Sequence, residues 1–233
     1  MRIHAFTGTR FSQAGGAGEL AGPPYDQIDE NLCCQLQQNP HHFAHLIRPA
    51  GGNNPHREAA ELHATWLATG VIAIESDPAL YPYEILLPND RRRLGITALV
   101  GLEPESSPII RPHEATVART VDERLSLLRE TRIDLEPILV LADDAGQLNQ
   151  MLEKDLGKTP FLVQHEDSEG RMHRLYRIDD RQRIAEYQAR LEPCVGLIAD
   201  GHHRYTVAQR FVAEQESPVV DAAGAKLAVL TSL

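Results

Sequence analysis

At 233 residues the chain has room for one large domain or two small ones, and 42% hydrophobic residues bury a normal core without disulfide or metal support. A formal net charge of −10 argues against nonspecific binding to nucleic acid or an anionic membrane, which leaves a local basic patch as the place where phosphate could sit. With three cysteines and no CxxC pair, neither a disulfide framework nor a cysteine zinc site is supported, and with no apolar run of about eighteen residues and no basic-then-apolar leader the chain reads as soluble and cytoplasmic.

The first residues pair a short apolar run, 3–6, with a glycine-rich loop over 15–22. Gly22-Pro23-Pro24-Tyr25-Asp26 follows as a stiff turn, because proline fixes φ and Asp26 closes an Asx turn or caps the next helix. Residues 29–38 read as a helix stopped by Asn39-Pro40, and residues 42–48 as a strand ended by Pro49. Residues 58–69 form an amphipathic helix with Ala59, Leu62 and Trp66 on one face and Gly70 as its stop. Strands over 81–87 and 94–102 flank the basic turn Asn89-Asp90-Arg91-Arg92-Arg93, read as a solvated hairpin turn.

A helix over 117–129 precedes a buried strand over 137–141 and a helix over 145–154. Strands over 161–164 and 171–178, a helix over 181–191, a short apolar strand over 195–199, a helix over 206–216 and a strand over 226–230 complete the pattern. Helices and strands interleave irregularly and some strands are consecutive, so the expected fold is α+β with mixed sheets. A soft boundary over 103–112 divides an N-terminal lobe, 1–105, from a second lobe, 106–233.

The chemistry concentrates in Ile198-Ala199-Asp200-Gly201-His202-His203-Arg204-Tyr205. An apolar strand runs into Asp-Gly and a helix begins within a few residues, and a helix N-terminus offers unpaired N–H groups to an anion. Gly201 lets backbone approach a ligand, Arg204 grips phosphate through parallel hydrogen bonds, and His202 and His203 donate to phosphate or shuttle a proton. Asp200 is a candidate base or divalent-cation ligand. The plainer alternative makes Asp200 a helix cap and His-His-Arg its solvated first turn, although positive charge opposes the helix dipole there. A second string, Arg111-Pro112-His113-Glu114-Ala115-Thr116, places Glu114 and His113 as a base and its partner, or else simply starts a helix. His41, His42 and His45 are not expected to converge on a metal.

Gly22-Pro-Pro-Tyr-Asp26, Asn39-Pro40, Ile47-Arg48-Pro49, Tyr81-Pro-Tyr-Glu84, His113-Glu-Ala-Thr116, Asp122-Glu-Arg124 and the string over 198–205 occur in this order. In that order they resemble a bacterial and archaeal family described as a domain of unknown function, sometimes SerK-like. Members usually run well past the last string, so the resemblance implies a shortened version of the family's chain. Asp-Gly-His-His-Arg also resembles the free serine kinases of the ParB and sulfiredoxin superfamily. That resemblance implies a ParB/sulfiredoxin-like C-terminal part, with Gly201, His202, His203 and Arg204 as phosphate ligands. It makes Asp200 a metal or hydroxyl contact, with Asp200, Glu114 and His202 as the catalytic candidates. The expected activity is phosphoryl transfer from a nucleotide or pyrophosphate donor, with Mg2+, to a small hydroxyl compound such as serine. A nucleotide-binding regulator without turnover and a metal-assisted phosphohydrolase are the alternatives. Neither nucleic acid nor membrane is an expected partner.

Overall fold

The structure is a computed structural model that describes residues 1–12, 17–104, 106–215 and 224–233. The first residues of the expected glycine-rich loop, Glu105 of the expected boundary and Glu216 at the end of the expected helix lie outside the described residues.

The chain opens with β1 (Ile3–His4), β2 (Thr9–Phe11) and α1 (Ala17–Leu20), followed by a 3-10 turn (Tyr25–Gln27). Three helices follow, α2 (Glu30–Leu36), α3 (Ala44–Ile47) and α4 (Pro55–Ala68), then β3 (Ile72–Ile74), β4 (Tyr81–Leu86), β5 (Arg92–Gly101) and β6 (Ile110–Arg111). Next come α5 (Ala118–Thr131), β7 (Ile138–Ala142), α6 (Gln147–Leu156), β8 (Phe161–Glu166) and β9 (Met172–Tyr176). The described chain ends with α7 (Arg181–Leu191), β10 (Gly196–Asp200), α8 (His202–Ala213) and β11 (Ala225–Ser232).

The architecture is α+β. A nine-stranded mixed sheet runs β6-β10-β7-β11-β5-β4-β9-β8, with β1 added beside β5, while β2 and β3 form a separate ribbon. The β6–β10 and β7–β11 pairs are parallel, and the other pairs along the sheet are antiparallel. The sheet draws strands from both sides of residue 105, since β5 pairs with β11 from Ala225↔Gly101 to Leu230↔Ile96.

Alternation along these strands gives the sheet two unlike faces. Leu94, Ile96, Ala98 and Val100 of β5, Ile138, Val140 and Ala142 of β7, and Ala228 and Leu230 of β11 are buried in one cluster. Leu148 and Leu152 of α6 and Tyr187 and Leu191 of α7 pack into that cluster and close the face. The alternate residues Tyr83, Gly95, Leu139 and Val229 instead line a cavity of about 700 Å³, roofed by Pro23, Pro24, Phe43 and Ile47. A second cavity of about 500 Å³ continues over Tyr81, Thr97, Leu99 and Leu227 beneath Leu46 and Trp66. Beside these, α8 packs on α5 and α5 on α4.

Two expected elements differ. Residues 42–48 are not a strand: α3 occupies Ala44–Ile47. The Asn39 side chain accepts the His41 N–H at 3.0 Å and the buried His42 Nδ1 accepts the Ala44 N–H at 3.0 Å, so local capping bends a β-prone string into a helical turn. The helix expected from residue 206 begins at His202, so His-His-Arg forms its first turn.

Beneath the sheet's central strand, Lys226 is 3% exposed, forms an ion pair with Asp134 and donates to the Glu136 carbonyl at 2.6 Å. Asp134 also accepts the Leu227 N–H at 2.7 Å. Asp134→Ala strands a buried ammonium and is expected to lower unfolding stability by about 3 kcal/mol in guanidinium titration. Lys226→Met, which leaves only a partly exposed carboxylate alone, is expected to cost less.

Candidate functional site

The Asp200 turn is built by a break in the ladder. β10 pairs with β7 through Ile198↔Val140, then Asp200↔Leu139, so Ala199 is an extra residue and the strand bends before Gly201. Gly201 has φ +93°, and a Cβ there would lie 2.7 Å from Ile138 Cγ2. Glycine alone meets both conditions, and α8 starts on the next residue with no side-chain cap. Its first N–H groups are thus left for another acceptor.

Arg204, 9% exposed, donates from one guanidinium nitrogen to the Pro137 carbonyl and from the other to Asp200 Oδ2. Asp200 and Arg204 both line the 700 Å³ cavity, together with Arg93 of β5. Arg92 is held by the buried Glu84 at 2.7 Å, and Glu84 in turn accepts the Tyr176 hydroxyl at 2.7 Å. Nearby, Glu136 accepts the Tyr25 N–H at 3.0 Å, and burial pushes its carboxyl above the usual range against the pull of that hydrogen bond and of Arg204.

The two histidines do something the string alone does not reveal. His202 Nε2 accepts the His113 N–H at 3.3 Å, and His203 Nε2 accepts the Val117 N–H at 2.9 Å. Each histidine therefore fastens one end of the 113–117 loop to the start of α8. His113 donates from Nδ1 to the Ile198 carbonyl at 2.7 Å, and its ring meets His202 edge-on at 4.5 Å. A ring nitrogen that accepts an N–H carries no proton, so His202 is neutral with its hydrogen on Nδ1. Burial, then the neighbouring His113, lowers its pKa, which agrees with that assignment. Glu114 Oε2 lies 3.7 Å from His202 Nδ1, with the Glu114 side chain 64% exposed.

The structure thus brings Asp200, Gly201, His202, His203 and Arg204 together with Glu114, across more than eighty residues of sequence. Asp200 and Arg204 line the cavity, whereas His202, His203 and Glu114 stand behind it, at the loop. Arg92 and Arg93, read from sequence as part of a solvated turn, are exposed but belong to β5; Arg93 lies on the cavity face, while Arg92 turns the other way to Glu84. Tyr83 and the Gly22-Pro23-Pro24 turn also line it; their signal was membership in the ordered strings. Among the described residues, no group of three or more His, Cys, Asp or Glu side chains is arranged to hold a metal. His41 instead meets the Trp66 ring edge-on, and His45 Nε2 lies 3.1 Å from the Asn39 carbonyl. No described helix is long and apolar enough to cross a membrane.

A family model described as "Protein of unknown function (DUF1015)" matches residues 3–232. No curated protein and no solved structure matches the chain.

The neutral histidines set a pH dependence. In His202, His42 and His63 burial lowers the folded pKa below the ordinary 6.5. As pH falls below that value the unfolded chain takes up protons first, so stability held at neutral pH is lost on acidification. The urea midpoint is expected to be lower at pH 5 than at pH 7, and His202→Gln is expected to narrow the difference.

Proposed function

The chain belongs to the DUF1015 family, whose description assigns no activity, and from the cavity we propose that it is a small-molecule phosphotransferase. A nucleotide or pyrophosphate is the donor and a small hydroxyl compound, with free serine first, the acceptor. The observation that carries this reading is the Arg204–Asp200 pair at the uncapped start of α8, in the wall of a cavity that also holds Arg93. Phosphoryl transfer asks mainly for positioning and charge neutralisation, which arginines and helix N–H groups supply. Phe43, Ile47 and Leu135 give the same cavity an apolar wall suited to the uncharged part of a nucleotide. The likeness of Asp-Gly-His-His-Arg to the free serine kinases of the ParB and sulfiredoxin superfamily points the same way.

In this reading Arg204 and the backbone at Gly201, His202 and His203 take the phosphate. The guanidinium has five N–H donors, and its bonds to Pro137 and Asp200 leave others for an anion. His202 and His203 hold the loop that presents Glu114, the candidate base. Asp200 Oδ1 accepts no hydrogen bond from a described residue, so the site offers Mg2+ a single carboxylate oxygen, as suits a cation carried in on phosphate. Bound there, Mg2+ would neutralise charge on the transferred group.

One observation favours a second reading. Asp200 is already paired with Arg204 and Glu114 is largely exposed outside the cavity wall, which suits a regulator that binds nucleotide without turnover.

Incubation with ATP, ADP or pyrophosphate, Mg2+ and serine separates the readings. Phosphoserine supports the transferase, binding without product the regulator, and nucleotide loss without acceptor a hydrolase. Arg204→Ala is expected to weaken donor binding by about 1.5–3 kcal/mol in calorimetry, the worth of a charge-assisted hydrogen bond. Arg204→Lys should recover only part, since an ammonium lacks the planar fork. Asp200→Asn or Glu114→Gln should slow product formation with little change in donor affinity. Unchanged donor affinity in a folded Arg204→Ala variant overturns the phosphate site.

A further inference from the structure

Far from the Asp200 turn, Tyr83 in the same cavity wall begins a hydrogen-bonded chain of three side chains, whose other two members lie behind it. β4 pairs with β9 through Tyr83↔Leu175 and Ile85↔His173, so Tyr83 and His173 stand on one face of the sheet as diagonal neighbours. The Tyr83 hydroxyl lies 2.5 Å from His173 Nδ1, with the two rings 5.9 Å apart and 25° from parallel. His173 Nε2 lies 2.9 Å from Asp167 Oδ2. Asp167, in the turn between β8 and β9, also accepts the Glu169 and Arg171 N–H groups at 2.9 Å each and Arg171 Nε at 2.6 Å.

The direction of these bonds follows from the chemistry of the groups. The hydrogen bond from His173, helped by Arg171 and the two backbone N–H groups, holds the Asp167 carboxyl well below the usual carboxylate range. An ionised carboxylate only accepts, so His173 Nε2 carries the hydrogen and its Nδ1 is a bare lone pair. The Tyr83 hydroxyl donates to that lone pair. Burial raises the Tyr83 phenol above its ordinary value, so it loses its proton only to a neighbouring acceptor. His173 is that acceptor, and Asp167 is placed to stabilise the imidazolium that results.

Tyr83, Ile85 and Arg93 line the cavity together. Tyr83 on β4 is separated from Asp200 on β10 by four strand steps, β4-β5-β11-β7-β10. At roughly 4.8 Å per step this is about 19 Å, so Tyr83 serves a different part of the cavity from Arg204.

We propose that Tyr83, His173 and Asp167 form a proton relay that deprotonates a hydroxyl group of an anionic ligand whose charge Arg93 meets. The ligand's O–H bond breaks and its proton passes to the Tyr83 oxygen as the Tyr83 proton passes to His173 Nδ1. Asp167 remains a carboxylate throughout, and in the absence of an electrophile the imidazolium returns its proton through Tyr83 to the ligand oxygen by the same path. This step needs no phosphate at Arg204 and stands apart from that reading.

An aryl sulfonyl fluoride tests the relay, because it esterifies a phenol as the phenol's proton leaves and fluoride departs. Peptide mapping by mass spectrometry is expected to place the sulfonate on Tyr83. Tyr83→Phe should remove it, His173→Gln should slow it tenfold or more, and Asp167→Asn should slow it by a smaller factor. D-glycerate or glycerol phosphate, each an anion with a free hydroxyl, should protect Tyr83 in the native chain and protect it less in Arg93→Ala. An unlabelled Tyr83, or a rate unchanged by His173→Gln in a protein with its native unfolding midpoint, overturns the relay. Protection by neither compound overturns the ligand class. Failure here leaves the calorimetric test of Arg204 untouched, and the reverse holds.

Discussion

The Arg124 side chain, only 6% exposed, donates to the Ile47 carbonyl at 2.5 Å and lies over the Tyr25 ring at 4.4 Å, so α5 is joined to both segments that roof the cavity. A buried guanidinium without counter-charge would be costly. Glu123 supplies that charge, and although burial works against its ionisation, Arg124 holds its carboxyl below the ordinary value. This one cation lets the second face of the sheet be covered without being filled. Sheets of this kind usually bury a face by packing helices directly on it, as α6 and α7 do on the other side. Here the 3-10 turn and α3 are instead held at a distance, and the space between is the cavity.

The first turn of α8 shows how a chemical oddity resolves once geometry is known. Two histidines and an arginine at a helix N-terminus look unfavourable as cations. Neutral, with Nε2 atoms turned back to accept N–H groups from the 113–117 loop, the histidines carry no such penalty. Only Arg204 remains a cation there, and it has Asp200 beside it. Of the two unusual features of the motif, the histidine pair thus belongs to loop placement, and the arginine lines the cavity.

Much of this was legible in the chain. The α+β class followed from irregular interleaving of periodic segments, and the long amphipathic helices and apolar strands were legible because burial imposes period on them. The Asp200 turn was legible because strand, Asp-Gly and helix start form a local pattern. The meeting of residues 113–117 with 202–203 was not, since the partners are backbone N–H groups that leave no mark in side-chain identity. That Arg92 and Arg93 are exposed was legible; that Arg93 lines the cavity was not, because the register of β4 against β5 that carries it there is a property of pairing. Residues 42–48 failed for a different reason. Phe, Leu and Ile favour a strand, but Asn39 and His42 cap the local N–H groups and win. The chain Tyr83–His173–Asp167 joins a strand, its neighbour and a turn, and nothing in spacing announces it.

The place of β11 has a consequence for how the molecule is made. It follows the other described strands in chain order, yet it lies between β7 and β5 near the middle of the sheet, and it pairs with each along five or more residues. During synthesis the β4, β5, β8 and β9 ladder and the β6, β7 and β10 ladder must wait as two separate half-sheets with facing open edges. Such edges invite pairing with other chains. Closure by a late, non-local strand also belongs to the slow end of folding, where loop entropy is met before contacts repay it. A nascent chain therefore passes through a sticky, divided state, which the insertion of β11 ends.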